Sequence, residues 1–235
     1  AEIIDSIKIC AIRVSFNEDD LVSTTGSGNF LLESEGIDCD SYTIDPAPHD
    51  KDYFNSQIMA LNSYFRSVSY DKFGINMEGS VVFPSSQNGS YKLSNTMNYY
   101  NPYIENDVQE RRITELFQES IITAYQEDSI NFSSFDLIVV FHAGIGQDFS
   151  LPFLDPTPED IPSTYIDQKM ISDNLNEAGI TIEEHLIDRG IILPESQNHL
   201  LYDIAESMFG DATDPCEYQY GLTGTFALMV GFAIG

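Results

Sequence analysis

Positive charge is what this chain has least of. Ten Lys and Arg stand against 38 Asp and Glu, so the formal net charge at neutral pH is −28. A surface of that sign repels phosphate backbones and anionic headgroups, which excludes nucleic acid as a partner. It suits cations, basic proteins or high salt instead. Cysteine is also scarce, with only Cys10, Cys39 and Cys216. The odd count leaves at least one without an intrachain partner, and no C-x-x-C pair exists to build a thiolate zinc site. Cys10 lies in an apolar run and reads as a buried thiol, while a Cys39–Cys216 bridge stays open. The four histidines, His49, His142, His185 and His199, include no pair at i, i+4 spacing, which is what places two imidazoles on one helical face. No lysine completes a phosphate loop around Thr24–Asn29. The last fifteen residues, Gly221–Gly235, carry no charge, but a membrane span needs about twenty. They would anchor the protein only if the apolar stretch continued. The chain opens at Ala1 with neither a positive n-region nor an apolar h-region, so a secretory signal is expected to have been removed already or the chain to be part of a longer one.

What remains is enough for a folded domain. The 235 residues are 42% apolar and 12% aromatic, ample for one core. The acids are scattered in short groups such as Glu18-Asp19-Asp20, which points to a folded acidic surface rather than a disordered tail. No repeat or low-complexity linker divides the chain, so residues 1–235 are read as a single domain.

Periodicity predicts a mixed α/β fold. Residues 7–16 read as a strand rich in β-branched residues, and 76–84 as a second strand closed by Pro84. The run 135–142 is almost wholly apolar, as in a central strand buried on both faces, with Gly144 and Gly146 ending it. A short strand is expected over 187–194, ending at Pro194. Phe54, Ile58, Leu61, Phe65 and Val68 recur at helical spacing over 52–68. Ile113, Leu116, Phe117, Ile121 and Ala124 do so over 107–125, where Asp107 and Glu110 have capping-box spacing. A short helix is expected at 199–208. The tyrosine-rich stretch Tyr91, Tyr99, Tyr100 and Tyr103 reads as a loop packed down by its rings. Asn88-Gly89-Ser90 and Asn131-Phe132-Ser133 are glycosylation sequons, relevant only in a eukaryotic secretory context.

Few residues invite chemistry. His142 ends the buried strand and reads as orienting a loop. Asp148, Asp155, Glu159 and Asp160 cluster in a proline-stiffened loop and are candidate calcium ligands, since hard cations need several oxygens; no EF-hand spacing accompanies them. The uncharged segment 221–235 reads as a buried helix.

The order of segments carries a resemblance. "AIRVSF", "TTGSGNF", "IDPAPHDKDYF", "VVFPS", "MNYY", "FDLIVVFHAGIGQDF", "DIPSTYI", "GIILPE" and "GLTGTFALMVGFAIG" follow one another across residues 7–235. Together they resemble the catalytic domain of M6-like zinc metallopeptidases, the immune-inhibitor-A type. The resemblance implies a zincin-like fold, a mixed twisted sheet packed by helices, with the former active-site helix at the C-terminal end. In that family this helix has the form A-H-E-F-G-H-x-x-G: two His bind Zn²⁺ and the Glu activates water. Here Leu228, Met229 and Phe232 fall at those three positions, so no catalytic residue is expected and zinc is not expected. The resemblance also implies that the chain is the N-terminal part of a longer protein. It points to a non-catalytic extracellular or cell-surface domain, secreted, acting in binding, surface assembly or structure, with a protein partner or a second copy. The rivals are an active secreted metallopeptidase with an unconventional metal site and a membrane-anchored surface protein.

Overall fold

The computed structural model describes residues 5–33, 45–103, 106–148, 155, 157–197 and 221–235. Cys39, Cys216, His199 and the helix expected at 199–208 lie outside them.

Among the described residues the centre is a six-stranded mixed sheet. The apolar run near the start forms two strands, β1 (Asp5–Ile7) and β2 (Ile9–Ser15), and every residue of β2 is buried. The second apolar run forms β6 (Leu137–Gly146). These two strands lie side by side and parallel, with Ile9 opposite Leu137 and Val14 opposite His142. β10 (Gly190–Gln197) adds to the other edge of β6, also parallel. β7 (Thr164–Ile166) closes that side antiparallel. On the far side of β2 lie β4 (Val81–Phe83) and β5 (Tyr91–Lys92), both parallel. β3 (Phe73–Ile75) pairs with β1, and β8 (Ile180–Ile182) with β9 (His185–Ile187).

Helices cover both faces. Alternation along β6 sends Phe141 to one face and His142 to the other. Phe141 meets Phe54 at 4.5 Å and Phe226 at 5.5 Å between ring centroids, which places α1 (Lys51–Val68) and the C-terminal α5 (Leu222–Ile234) together on that face. α2 (Met97–Tyr100), α3 (Asn106–Asp128) and α4 (Gln168–Leu175) occupy the other. There Phe117 of α3 packs against Gly190, where a Cβ would come within 2.2 Å of the ring. The five apolar positions read from α1 and the stripe from α3 do face the core, except Val68, which is exposed.

Several boundaries differ from the periodic reading. Asn76–Ser80 is a turn, because Asn76 captures the amide of Gly79 and the hydroxyl of Ser80; only Val81–Phe83 pairs. α3 is already helical at Asn106, so Asp107 lies inside the helix instead of capping it. β6 ends at Gly146, as expected, but Gly144 lies inside it. Between His142 and Ile145 this strand spends one residue more than β10 does between Pro194 and Ser196. Gly144, at φ +91°, absorbs that bulge. β10 likewise continues through Pro194, and Ile187 belongs to the β8–β9 hairpin. Of the tyrosines, Tyr91 and Tyr100 are buried and donate to Asp128 and Glu119 at 2.5 Å, whereas Tyr103 is exposed.

α5 departs most from expectation. Its fully buried residues form one stripe, Leu222, Phe226 and Val230, with Ala227, Met229 and Ala233 packed partly against the core beside it. Leu228 and Phe232 are 57% and 58% exposed. A uniformly apolar helix reads as buried all round, but this one rests on the sheet by a single edge.

Candidate functional site at the carboxyl ends of the parallel strands

β2, β6 and β10 end at the same edge of the sheet, the position where parallel α/β sheets hold their ligands. Buried polar groups collect there. The carboxylate of Glu195, on β10 opposite the bulge, accepts from three directions. The Gly144 amide donates at 2.6 Å, the Leu31 amide at 2.8 Å and His49 Nδ1 at 2.8 Å. The His49 and Glu195 side chains are 2% and 5% exposed. The other ring nitrogen of His49, Nε2, lies 2.9 Å from the carbonyl of Asp45. Both nitrogens therefore face acceptors, and only the imidazolium satisfies both. Burial alone would lower the pKa of His49. The hydrogen bond and charge of Glu195, helped by Asp45, outweigh it and raise the pKa above the ordinary value. Tyr53 from α1 stacks on the imidazole at 4.4 Å, and its hydroxyl donates to the Glu195 carbonyl at 2.7 Å.

Asp45 extends the network to α5. Its Oδ2 accepts the amide of Leu222, the first residue of the helix, at 2.8 Å. Gln57 donates to its Oδ1 at 3.3 Å, and Thr223 donates to Gln57 at 2.6 Å. A carboxylate at this helix end satisfies an orphan amide and suits the dipole.

His142 behaves differently. It is fully buried on the opposite face, and Nδ1 donates to the carbonyl of Ala143 at 2.8 Å. Nε2 makes no hydrogen bond. Burial lowers its pKa below the ordinary value. Arg13 threads from β2 into the loop after β4, donating to the carbonyls of Pro84, Ser86 and Gln87 at 2.6–2.9 Å. Its guanidinium is pulled down to about 10 by burial, against the charge of Asp50. Both residues fix loops and offer nothing to solvent. Cys10 is a buried free thiol whose pKa burial pushes up.

Each of the four candidate calcium ligands has its own hydrogen-bond donors. Asp148 is held by the Ser163 amide and hydroxyl and by Gln197. Asp155 accepts from Gln147 and the Thr157 amide. Glu159 accepts from Ser23 and from the Tyr103 amide. Asp160 takes the amide and hydroxyl of Thr25, each at 2.6 Å. Among the described residues no three His, Cys, Asp or Glu side chains stand close enough to hold a metal.

Leu228 and Phe232, one helical turn apart, line a groove of about 590 Å³ between α5 and α1, with Tyr64, Phe65, Val68, Ala227 and the glycines Gly224 and Gly231. Met229 packs partly against the core instead. Tyr165 stacks on Phe232 at 6.5 Å. No charged side chain lines this groove. Among the described residues, no helix is long and apolar enough to cross a membrane.

Spacing rules pass over Glu195 and His49. They are 146 residues apart in sequence. A carboxylate at the end of the apolar run Gly190–Leu193 was the one local signal.

No protein-family model matches this chain, and no curated protein matches it significantly.

The titrating groups give a direct expectation. Burial pushes the Asp160 carboxyl up to about 7, against the pull of the Thr25 hydrogen bonds. A raised carboxyl contributes stability that is present below its unfolded pKa near 4 and is lost as pH rises through 7. The raised imidazole of His49 adds in the same sense, with a contribution full below about 6.5 and lost as pH rises through its folded pKa. The protein should therefore melt higher at pH 6 than at pH 8. Asp160→Asn should flatten that profile between pH 4 and 8. His142, whose pKa burial lowers, acts in the opposite sense as pH rises through about 6.5, so the decisive comparison is the variant: an Asp160→Asn profile parallel to that of the wild type would contradict the Asp160 assignment.

Proposed function

We propose that this chain is a non-catalytic domain on a zincin-like, metallopeptidase-like scaffold, working outside the cell in binding or surface assembly. The observation that carries the reading is the outward face of α5. At the two positions where the resemblance expects metal-binding imidazoles, Leu228 and Phe232 project hydrocarbon into an open groove. Leucine and phenylalanine have no lone pair for Zn²⁺, and Met229 has no proton-accepting group to activate water. His49 is engaged at both nitrogens and His142 is buried, so neither replaces the missing pair. What the groove does offer is a charge-free apolar surface in a body of net charge −28. Such patches mark contacts with other macromolecules, and the charge favours a basic partner over a second copy of the same chain.

Elemental analysis of the purified protein, dialysed without chelator, tests the reading together with a peptidase assay. No stoichiometric zinc and no chelator-sensitive hydrolysis are expected. In a Leu228→His, Phe232→His variant, Zn²⁺ binding should appear, because i, i+4 imidazoles on an accessible face form a two-point site. Stoichiometric zinc with chelator-sensitive hydrolysis in the wild type would replace this proposal with a working peptidase using a displaced metal site.

A further inference from the structure

The buried imidazole of His49 connects the sheet to α5 through one short segment. On one side Nδ1 donates to Glu195 of β10; on the other Nε2 donates to the Asp45 carbonyl. The side chain of that same Asp45 receives the Leu222 amide at the start of α5 and the Gln57 amide group of α1. The charged and titratable groups facing the ring are Glu195 from β10, Asp45 from the preceding loop and Tyr53 from α1. Asp50 follows it in the chain, with its carboxylate turned to the amides of Asp52 and Tyr53. α5 itself contributes no charge.

We propose that His49 is a proton-operated latch that holds the N-terminus of α5 to the sheet while it is charged and releases it when the ring becomes neutral. The chemistry decides which bond breaks. A neutral imidazole keeps one N–H. The bond to a carboxylate is charge-assisted and the stronger of the two, so the proton stays on Nδ1. The lone pair of Nε2 then faces the lone pairs of the Asp45 carbonyl at hydrogen-bond distance, and the two acceptors repel. Asp45 moves away and takes its carboxylate with it. The Leu222 amide loses its acceptor, and Gln57, which also holds Thr223, loses its anchor. The device acts on the helix that carries the proposed binding face, but it stands on this network and not on that function.

Amide hydrogen exchange, read beside the NMR titration of the imidazole, tests the latch without any partner. At neutral pH the ring should show both nitrogens protonated. As it titrates, the protection of the Leu222 amide should fall about fivefold, the worth of an ordinary helix cap, while the Ile12 amide in β2 keeps its protection. In His49→Gln, Leu222 protection should no longer change with pH beyond that of Ile12. Asp45→Ala, which keeps the carbonyl but removes the cap and its charge, should lower Leu222 protection at every pH while the imidazole still titrates, at a somewhat lower pH. The proposal is overturned if Leu222 protection stays constant through the titration. It is equally overturned if the ring is neutral at pH 7, or if it loses its proton only when β2 unfolds. The wild-type measurements decide these points even where a variant fails to fold.

Discussion

Replacing Glu195 by alanine should cost about 3–5 kcal/mol, the range seen when one partner of a buried ion pair is removed. The loss is large because the carboxylate serves three donors at once. Its removal strands the amides of Gly144 and Leu31 and leaves the His49 imidazolium buried without its counter-charge. Domains of this size are stable by about 5–15 kcal/mol, so the variant should lose a large fraction of its stability. Urea denaturation followed by far-UV circular dichroism measures it. Glu195→Gln keeps one acceptor oxygen and should fall between the alanine variant and the wild type. A loss below about 1 kcal/mol in the alanine variant, the value of an exposed pair, would mean that the pair is solvated and the site is not a structural lock.

Gly144→Ala should also be strongly destabilising, by about 2–6 kcal/mol. Two mechanisms combine. At φ +91° an L side chain is strained, which costs on the order of 1–3 kcal/mol. The new Cβ would also lie 2.3 Å from Met97 Cε and 3.1 Å from the Thr25 carbonyl, and overpacking of a full core costs about 1–3 kcal/mol. Two comparisons separate these effects. Gly26 has φ +84° with nothing within 4 Å of its built Cβ, so Gly26→Ala should show the strain alone. Met97→Ala introduced beside Gly144→Ala should relieve the clash and leave the strain. Thermal unfolding of the three variants against wild type reads both. If Gly26→Ala and Gly144→Ala cost the same, packing at the bulge contributes nothing and the position is conformational only.

The sheet and its two long helices were legible because their signals are local. β2 and β6 are apolar runs with β-branched residues, and α1 and α3 show clean helical stripes, so periods of two and 3.6 sufficed. What failed was whatever depended on a partner far away in the chain. Gly144 reads as a strand terminator until β10 is seen to run beside it one residue short. Pro194 reads as an end because a proline withholds its N–H, yet a bulge in the neighbouring strand lets β10 continue. α5 reads as buried because apolarity says nothing about how many sides of a helix find a neighbour. The site suffered most. Two prolines fix φ in the loop Asp45–Asp50, a local signal, but the loop's link to Glu195 and to Leu222 exists only in three dimensions. The four acids of the candidate calcium loop illustrate the converse. They are close in sequence, and the fold assigns each carboxylate its own donors.

The pairing of β2 with β6 also sets an order of assembly. Ile9 finds Leu137 only after the intervening chain exists, whereas its other neighbour, Val81–Phe83, is made much earlier. A ribosome adding roughly 5–20 residues per second takes several seconds to make the stretch between those two partners. During that interval one edge of a strand that is buried throughout in the folded protein has no strand beside it, and non-local parallel pairing is slow even once the partner is present. The nascent chain thus passes through a stage at which β2 is competent to pair with the wrong molecule. The stretch made by then is itself acidic, with 22 Asp and Glu against 8 Lys and Arg in residues 1–136, so mutual repulsion between neighbouring nascent chains opposes that hazard.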